Sequence, residues 1–343
     1  MTARDGVLAH RSADGSTHLA AGVDWLMRAQ DAMGNGALAR AHPLGGGPDA
    51  ASNGARCACP ETTGRVIPTF YLAAQHLGRP DLAQRAGEAA RWGVEMQLPS
   101  GAARGGVVGT GQALLGWVAA FSETGWGVFA GASRRAGRFL LARLDEDGLW
   151  RHDVAYCPRT AWALAEAGRR LGAPEFRVAA AKHLRTVARL QHDDGWMPDA
   201  RFPERSRGLA DLADAIRGLL EGGRLLRDER LIALAARSAA GVAAAQGREG
   251  RLPDRFAPGW QPAGSSCCPV GQAHMANVWL RLYEITGARV WLEPVRPVLR
   301  VLTSARRREG TITATKFLVD ALIRDERIAR GLVEETTAAL VLA

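Results

Sequence analysis

Apolar and polar positions along the chain fall into blocks that recur about every 50 residues. Each block opens with a stretch of small and aliphatic residues that is apolar nearly all round. A Gly then breaks the pattern, and an amphipathic stretch with Arg and Glu on one side follows. The blocks run from Glu61 to about Gln97, from Gly109 to about Leu144, from Pro158 to about Gln191, from Leu209 to Gln246 and from Gly271 to about Leu302. Apolar residues spaced at i, i+3 and i+4 predict two helices per block. The block from Leu209 is the least regular. Two of the blocks lead into a turn reading D-G-x-W or D-G-W. GVDWLMRAQ, from Gly22, predicts a further amphipathic helix with Val23, Leu26 and Met27 on its apolar face, and TATKFLVDALIRD, from Thr313, a last apolar one.

A helix that is apolar all round must be buried, whereas an amphipathic one can face water on one side. The first helix of each block is therefore expected inside and the second outside. The chain opens with an outer-type helix and ends with an inner-type one. If these two pair, the ring closes with six hairpins and twelve helices, which predicts an all-α fold, a single α/α toroid. An open solenoid would need polar capping repeats, which the sequence does not display. The expected layout is an N-terminal extension over 1–21, the toroid over 22–328 and a C-terminal tail over 329–343. Between the first helix and Glu61 lies GNGALARAHPLGGGPDAASNGARCACP, too rich in Gly and Pro for a regular element and long enough to suggest a functional loop.

Composition narrows the function classes. No run of 18 uninterrupted apolar residues occurs, so no membrane span is expected. The first residues lack an apolar signal-peptide core, which points to the cytoplasm. The net charge is +9, and nearly all the positive charge is Arg, with Lys only at 182 and 316. Arg is suited to bidentate contact with carboxylate and phosphate. The arginines are scattered along amphipathic helices with no basic run interleaved with aromatics, so an anionic small molecule is the expected partner rather than nucleic acid. The oligomeric state is not legible. Five cysteines, an odd number, argue against a pure disulfide framework.

The segments CPETTGRVIPTFYLA, GTGQALLGW, QHDDGWMPD, DAIRGLLEGG, LPDRFAPGWQPAGSSC and HMANVWLRLYEITG resemble a family of bacterial α/α-toroid proteins related to the terpenoid-cyclase and protein-prenyltransferase toroids. The resemblance covers roughly residues 22–325 and rests on the P-E-T-T-G, T-G-Q and S-S-C segments. That family is often encoded with polysaccharide- or natural-product-biosynthesis genes. The resemblance implies a toroid with a central cavity rather than one particular reaction. The chain departs from the family pattern at Cys59, at Cys157 and in a shortened C-terminal segment, REGTITATKF.

In a toroid, the segments leading into the inner helices gather at one mouth, and unusual residues concentrate there in this sequence. Glu61 opens an apolar helix, where partial desolvation would raise its pKa and the helix N-terminus would lower it. It could serve as a general acid or base, and with Thr62 and Thr63 it could equally cap its own helix. Asp211 and Asp214, three apart, share one helix face and could form an acid/base pair for hydrolysis or elimination on a sugar. Tyr156 and His274 would orient the reacting groups. Arg159, Arg217 and Lys316, on inner helices, would hold an anionic group or form internal ion pairs. Trp196, at the end of a turn, could offer a sugar-stacking platform. Asp193 and Asp194 read as turn residues, and the D-x-D-D pattern of class II terpene cyclases is absent.

All five cysteines fall in these approach segments, and Cys157, Cys268 and His274 could surround a zinc ion, as at the mouths of the similar lanthionine-cyclase and prenyltransferase toroids. Neither Cys57-Ala-Cys59 nor Cys267-Cys268 has a C-x-x-C spacing, and free cysteines serving as small apolar residues fit as well. The sequence thus leads to a biosynthetic enzyme acting on an anionic saccharide or natural-product intermediate by acid/base chemistry in the cavity. The alternatives are a zinc-dependent cyclase or transferase, and a non-catalytic toroid that binds a glycan or a protein.

Overall fold

The computed structural model describes residues 3–43, 57–150, 157–198, 204–264, 266–304 and 309–341. Among these residues there are twelve α-helices: α1 (Ala3–Asp31), α2 (Pro60–Leu77), α3 (Pro80–Glu95), α4 (Gly106–Thr124), α5 (Gly127–Arg143), α6 (Pro158–Leu171), α7 (Pro174–Leu190), α8 (Leu209–Leu226), α9 (Glu229–Ala244), α10 (Pro269–Thr286), α11 (Val295–Ser304) and α12 (Ile312–Val341). Each even-numbered helix packs on the next, and α12 packs on both α2 and α10, so the even helices close an inner ring. The odd helices lie outside it, with α1 against α12. The fold is the α/α toroid expected from the repeat. Two expected boundaries fall inside helices, because α1 runs through 21/22 and α12 through 328/329.

Small residues in the inner helices let backbones approach closely. A Cβ on Gly64 of α2 would sit 2.8 Å from the Gln112 carbonyl oxygen of α4, and one on Gly218 of α8 would sit 2.2 Å from the Pro158 backbone at the start of α6. At the far ends, α2, α4, α6 and α10 stop at Gly78, Gly125, Gly172 and Gly287, all in the left-handed conformation that ends a helix without a Cβ penalty. These are the Gly breaks of the repeat. The irregular block differs here, since α8 ends at Arg227 with φ 56°.

At the near ends the connections are long, and a repeated glutamine pins them. Gln97 donates to the carbonyls of Gly101 (2.8 Å) and Ala132 (3.0 Å). Gln191 does the same to Gly195 (3.2 Å) and Leu234 (3.0 Å), and Gln246 to Gly250 (3.2 Å) and Pro294 (3.1 Å). Each ties the turn after one outer helix to the next outer helix or, for Gln246, to the residue just before it. Short antiparallel strands also gather at this end. The first, β1 (Ala41–Pro43), pairs with the last, β5 (Glu309–Thr311). Between them, β2 (Arg207–Gly208), β3 (Arg255–Ala257) and β4 (Gln261–Pro262) form a second sheet. The repeat contains no signal for these strands.

Candidate functional site

The interior of the ring is divided by ion pairs. Asp214 of α8 accepts from both Nη atoms of Arg65 on α2 (3.3 and 2.9 Å) and from Nη1 of Arg159 on α6 (2.9 Å). Arg65 also reaches Glu61, one turn earlier on α2, at 3.2 Å. Arg159 Nε donates to the side-chain oxygen of Gln112 on α4 at 2.8 Å. Four inner helices are joined this way across the axis. Burial alone would raise the Asp214 pKa, but the charges of Arg65 and Arg159 overcome it and hold the carboxyl well below the ordinary range. Arg159 is pulled down to about 10 by burial, against the pull of Asp214 and with the help of Arg65. Both members of the pair are therefore ionised at neutral pH.

His274 of α10 packs against this cluster. Its Nε2 lies 3.4 Å from Arg159 Nη1, and its Nδ1 is 3.3 Å from Asp214 Oδ1 without hydrogen-bond geometry. Its ring stacks on Phe317 with centroids 3.9 Å apart. Burial, reinforced by the three arginines nearby and opposed by Asp214, lowers its pKa well below the ordinary value. A neutral imidazole with its proton on Nδ1, facing the Asp214 carboxylate, and with Nε2 accepting from Arg159 fits these neighbours.

Two cavities lie on either side of the cluster. The near recess, about 460 Å³, opens among the N-terminal ends of the inner helices. It is lined by Asp211 and Asp214, by Arg159, Arg205, Arg207 and Arg255, and by Cys157. The small sheet positions two of these arginines, because Gly208 pairs with Arg255 and Arg207 with Phe256 across β2 and β3. Arg255 is anchored to the Ser206 carbonyl at 2.8 Å, and Arg207 to the Met197 carbonyl at 3.1 Å. Asp211, in the first turn of α8, retains solvent access but is crowded by protein. That crowding, with Asp214 adding to it, raises its pKa in spite of Arg207, Arg255 and Arg65. One helix turn thus carries two carboxyls pushed in opposite directions.

The far cavity, about 480 Å³, lies towards the C-terminal ends of the inner helices and shares Gln112 and Arg159 with the recess. His274, Arg217 and Lys316 line it. Glu221 is buried among its arginines, accepting from Arg217 Nε (3.0 Å), Arg224 Nε (3.0 Å) and Arg281 Nε (2.9 Å). Lys316 pairs with Asp320, which also accepts from Thr69 at 2.7 Å. Burial lowers the Lys316 pKa to about 8, with Asp320 opposing and Arg159 and Arg217 assisting.

Several candidates from the sequence are placed elsewhere. Glu61 lines neither cavity and is engaged by Arg65. Trp196 does not reach a cavity either: it is fully buried, edge-on to Trp260, in the turn where Asp193 and Asp194 also sit. As placed, its face is not available for stacking on a sugar. Tyr156 lies outside the described residues. Cys157 lines the recess, His274 lines the far cavity and Cys268 lines neither. Among the described residues no three His, Cys, Asp or Glu side chains are grouped to hold a metal ion, so the Cys157–Cys268–His274 set does not assemble. Cys59, Cys157 and Cys268 instead occupy the N-cap positions of α2, α6 and α10, and Cys268 Sγ accepts from the Gly271 amide at 3.4 Å.

The sequence reading missed Arg65, Gln112, Glu221, Arg281, Asp320 and Arg324. A signal was present for two of them. Arg65 follows Glu61 by one turn, and Glu221 follows Arg217 by one turn inside an otherwise apolar helix, where a lone charge needs a partner.

No protein family matches the chain by sequence, and no curated protein does. Among the described residues no helix is long and apolar enough to cross a membrane. Solved structures do match. An unsaturated glucuronyl hydrolase specific for heparin superposes with a TM-score of 0.75 at 16% identity, over 92% of this chain and 98% of that one. Another, from Bacillus sp. GL1, gives 0.70 at 16% identity over 88% and 94%. The cellobiose 2-epimerase of Bacillus thermoamylovorans gives 0.64 at 10% identity over 78% and 88%. None of these three is a terpenoid cyclase or a prenyltransferase. At such identities the likeness establishes the shared α/α-toroid fold.

Proposed function

We propose that the protein is a saccharide-processing enzyme that acts on an anionic sugar, a uronic-acid-type unit, by acid/base chemistry in the recess at the N-terminal ends of the inner helices. The observation that carries this reading is the pair of carboxyls in that recess. Asp211 is reachable and has a raised pKa, while Asp214 is fixed as an anion by Arg65 and Arg159. Two carboxyls whose environments push them apart divide the roles of proton donor and permanent anion. Asp211 is the proton donor in this reading, and Asp214 holds Arg159 in place and stabilises developing positive charge. Arg207 and Arg255, anchored through the small sheet, offer guanidinium to the substrate carboxylate. The likeness to unsaturated glucuronyl hydrolases agrees with an anionic sugar, and a related structure of an Asp-to-Asn variant is described as complexed with dGlcA-GalNAc6S. A biosynthetic role has no separate support.

The test is to incubate the purified chain with unsaturated glucuronyl disaccharides and follow loss of the ultraviolet absorbance of the uronyl double bond, alongside chromatography for epimerised or hydrolysed products of saturated uronides. Turnover that disappears in Asp211→Asn supports the reading. A wild-type protein that binds these sugars and never converts them would sink it in favour of a glycan-binding toroid.

A further inference from the structure

The far cavity has features that the acid/base chemistry does not use. Its lining carries nine cationic side chains against four carboxylates. Inner-helix C-termini carry a partial negative charge that basic residues in the last turn would offset, and this accounts for Arg169, Arg170 and Arg224. It does not account for Arg217 or Arg281, which lie before the last turn of α8 and α10. Their own partners do not exhaust them. Glu221 serves Arg217, Arg224 and Arg281 together, Arg217 also donates to the Asn277 carbonyl (3.2 Å) and Arg281 to Glu284 (2.8 Å), and each guanidinium has N–H groups beyond these among its five donors. Arg324 is paired with Glu284 through Nη1, while its Nε is buried with no acceptor. Burial and the neighbouring cations lower Arg217 to about 10 even though Glu221 opposes them. The donor surplus and the positive field both favour an incoming anion.

We propose that this cavity is a second binding site, for a small molecule bearing a compact dianionic group of the phosphoryl type, gripped by guanidinium groups from α8, α10 and α12. Several guanidinium groups from separate helices suit a dianion better than a single carboxylate. The remaining wall gives the ligand a body. Trp162 lies under Arg159 (5.4 Å) and Arg217 (5.7 Å), and Leu115 and Val118 extend its apolar surface. A space of about 480 Å³ fits a small molecule rather than a bare ion. The Arg65–Asp214–Arg159 cluster stands between this site and the recess, so the proposal does not depend on the sugar chemistry assigned there.

Isothermal titration of the full chain with inorganic phosphate, with glucose 6-phosphate and with acetate tests it. Phosphate and the hexose phosphate are expected to saturate one site, the hexose phosphate at least as tightly, and acetate to bind at least tenfold more weakly. Arg224→Gln and Arg324→Gln alter side chains that are 41% and 20% exposed, so the helical circular dichroism should be retained. Each should weaken phosphate at least fivefold, and Arg207→Gln in the recess should leave it unchanged. No saturable phosphate binding, or loss in Arg207→Gln with none in the other two, would overturn the site. Exclusion of the hexose phosphate while phosphate binds would overturn the ligand class.

Discussion

The two ends of the inner ring are built from the same helices and differ in almost every other respect. At the far end α2, α4, α6 and α8 turn into their outer partners through two residues each, as in Gly78–Arg79 and Arg227–Asp228. At the near end the chain crosses from one hairpin to the next through segments such as 191–208 and 245–268, which hold the small sheet. Both ends have a cavity of similar size, about 480 and 460 Å³, and both cavities are rich in arginine. Their carboxyls separate them. Glu221 at the far end is buried, and three guanidinium groups hold its pKa below the ordinary range against the effect of burial. Asp211 at the near end stays accessible with a raised pKa. Net charge alone therefore does not tell which end does chemistry. The informative feature is Asp211, a carboxyl outside any ion pair among the described residues and with a pKa raised by its surroundings, and it lies where long connections can shape a site.

The largest effect should come from breaking that distinction at Asp211. Asp211→Asn is expected to lower kcat/KM by about 10²–10⁴-fold, the usual range for a positioned proton donor, while stability moves by no more than about 0.5 kcal/mol because the side chain is accessible. Wild-type activity should fall as pH rises through the raised Asp211 pKa, since the donor is then lost. Kinetics across pH, with the saccharide that is turned over, check both. Equal activity in wild type and variant would remove Asp211 from the chemistry.

Glu221→Ala tests the other end and should do the reverse. It strips a buried acceptor from Arg217, Arg224 and Arg281 and leaves the buried Arg217 without a carboxylate partner, while Arg281 keeps Glu284 at 2.8 Å, a loss of about 3–5 kcal/mol. Urea unfolding would show a lower midpoint with an unchanged slope. If the midpoint hardly moves, Glu221 is not the structural anchor of the far end.

A third prediction concerns how the near-end connections are held. His183 of α7 bonds through Nδ1 to the Gly148 carbonyl at 2.8 Å and packs on Trp150, fixing the turn before α6. Burial lowers its pKa from 6.5 to about 4, although the Gly148 carbonyl and Asp145 oppose this. Above pH 6.5 both folded and unfolded imidazoles are neutral. As pH falls from there towards 4 only the unfolded state gains the proton, so stability is lost over that window, by about 3 kcal/mol at most. His183→Gln keeps a donor for Gly148 and should flatten the acid limb of a stability–pH curve. An unchanged limb would assign acid lability to other groups.

How much of this was legible in the sequence differs between the two levels. The inner and outer helices could be sorted because burial of a whole helix surface leaves a pattern in composition, and the ring closure followed from the types of the first and last helices. Asp211, Asp214, Arg159, Arg217, His274 and Lys316 could be nominated because a charge on an apolar helix is conspicuous. Their partners could not, since which charges meet depends on the rotation of each helix about its axis. Arg65 meets Asp214 from 149 positions away, a pairing no local spacing encodes. Trp196 failed for a related reason. A tryptophan ending a turn reads the same whether it faces a cavity or wedges beneath the next outer helix, and here Trp260, in a segment without helical pattern, covers it.

The smallest expected effect lies at the far end, in the one two-residue turn that departs from the repeat. Arg227 ends α8 at φ 56°, where the equivalent positions in α2, α4 and α6 are glycine. The left-handed conformation costs a residue with a Cβ roughly 1–2 kcal/mol. Glycine avoids that strain but gives the unfolded chain more freedom, which removes about 0.5–1 kcal/mol of the gain. Arg227→Gly should therefore stabilise the protein by about 0.5–1 kcal/mol, read as a small rise in the urea midpoint. Arg227 lines neither cavity, so turnover in the recess and phosphate binding at the far end should both stay at wild-type values. A loss of phosphate affinity in this variant would mean that the geometry of the α8–α9 turn, and not only the arginines facing the cavity, shapes the far end.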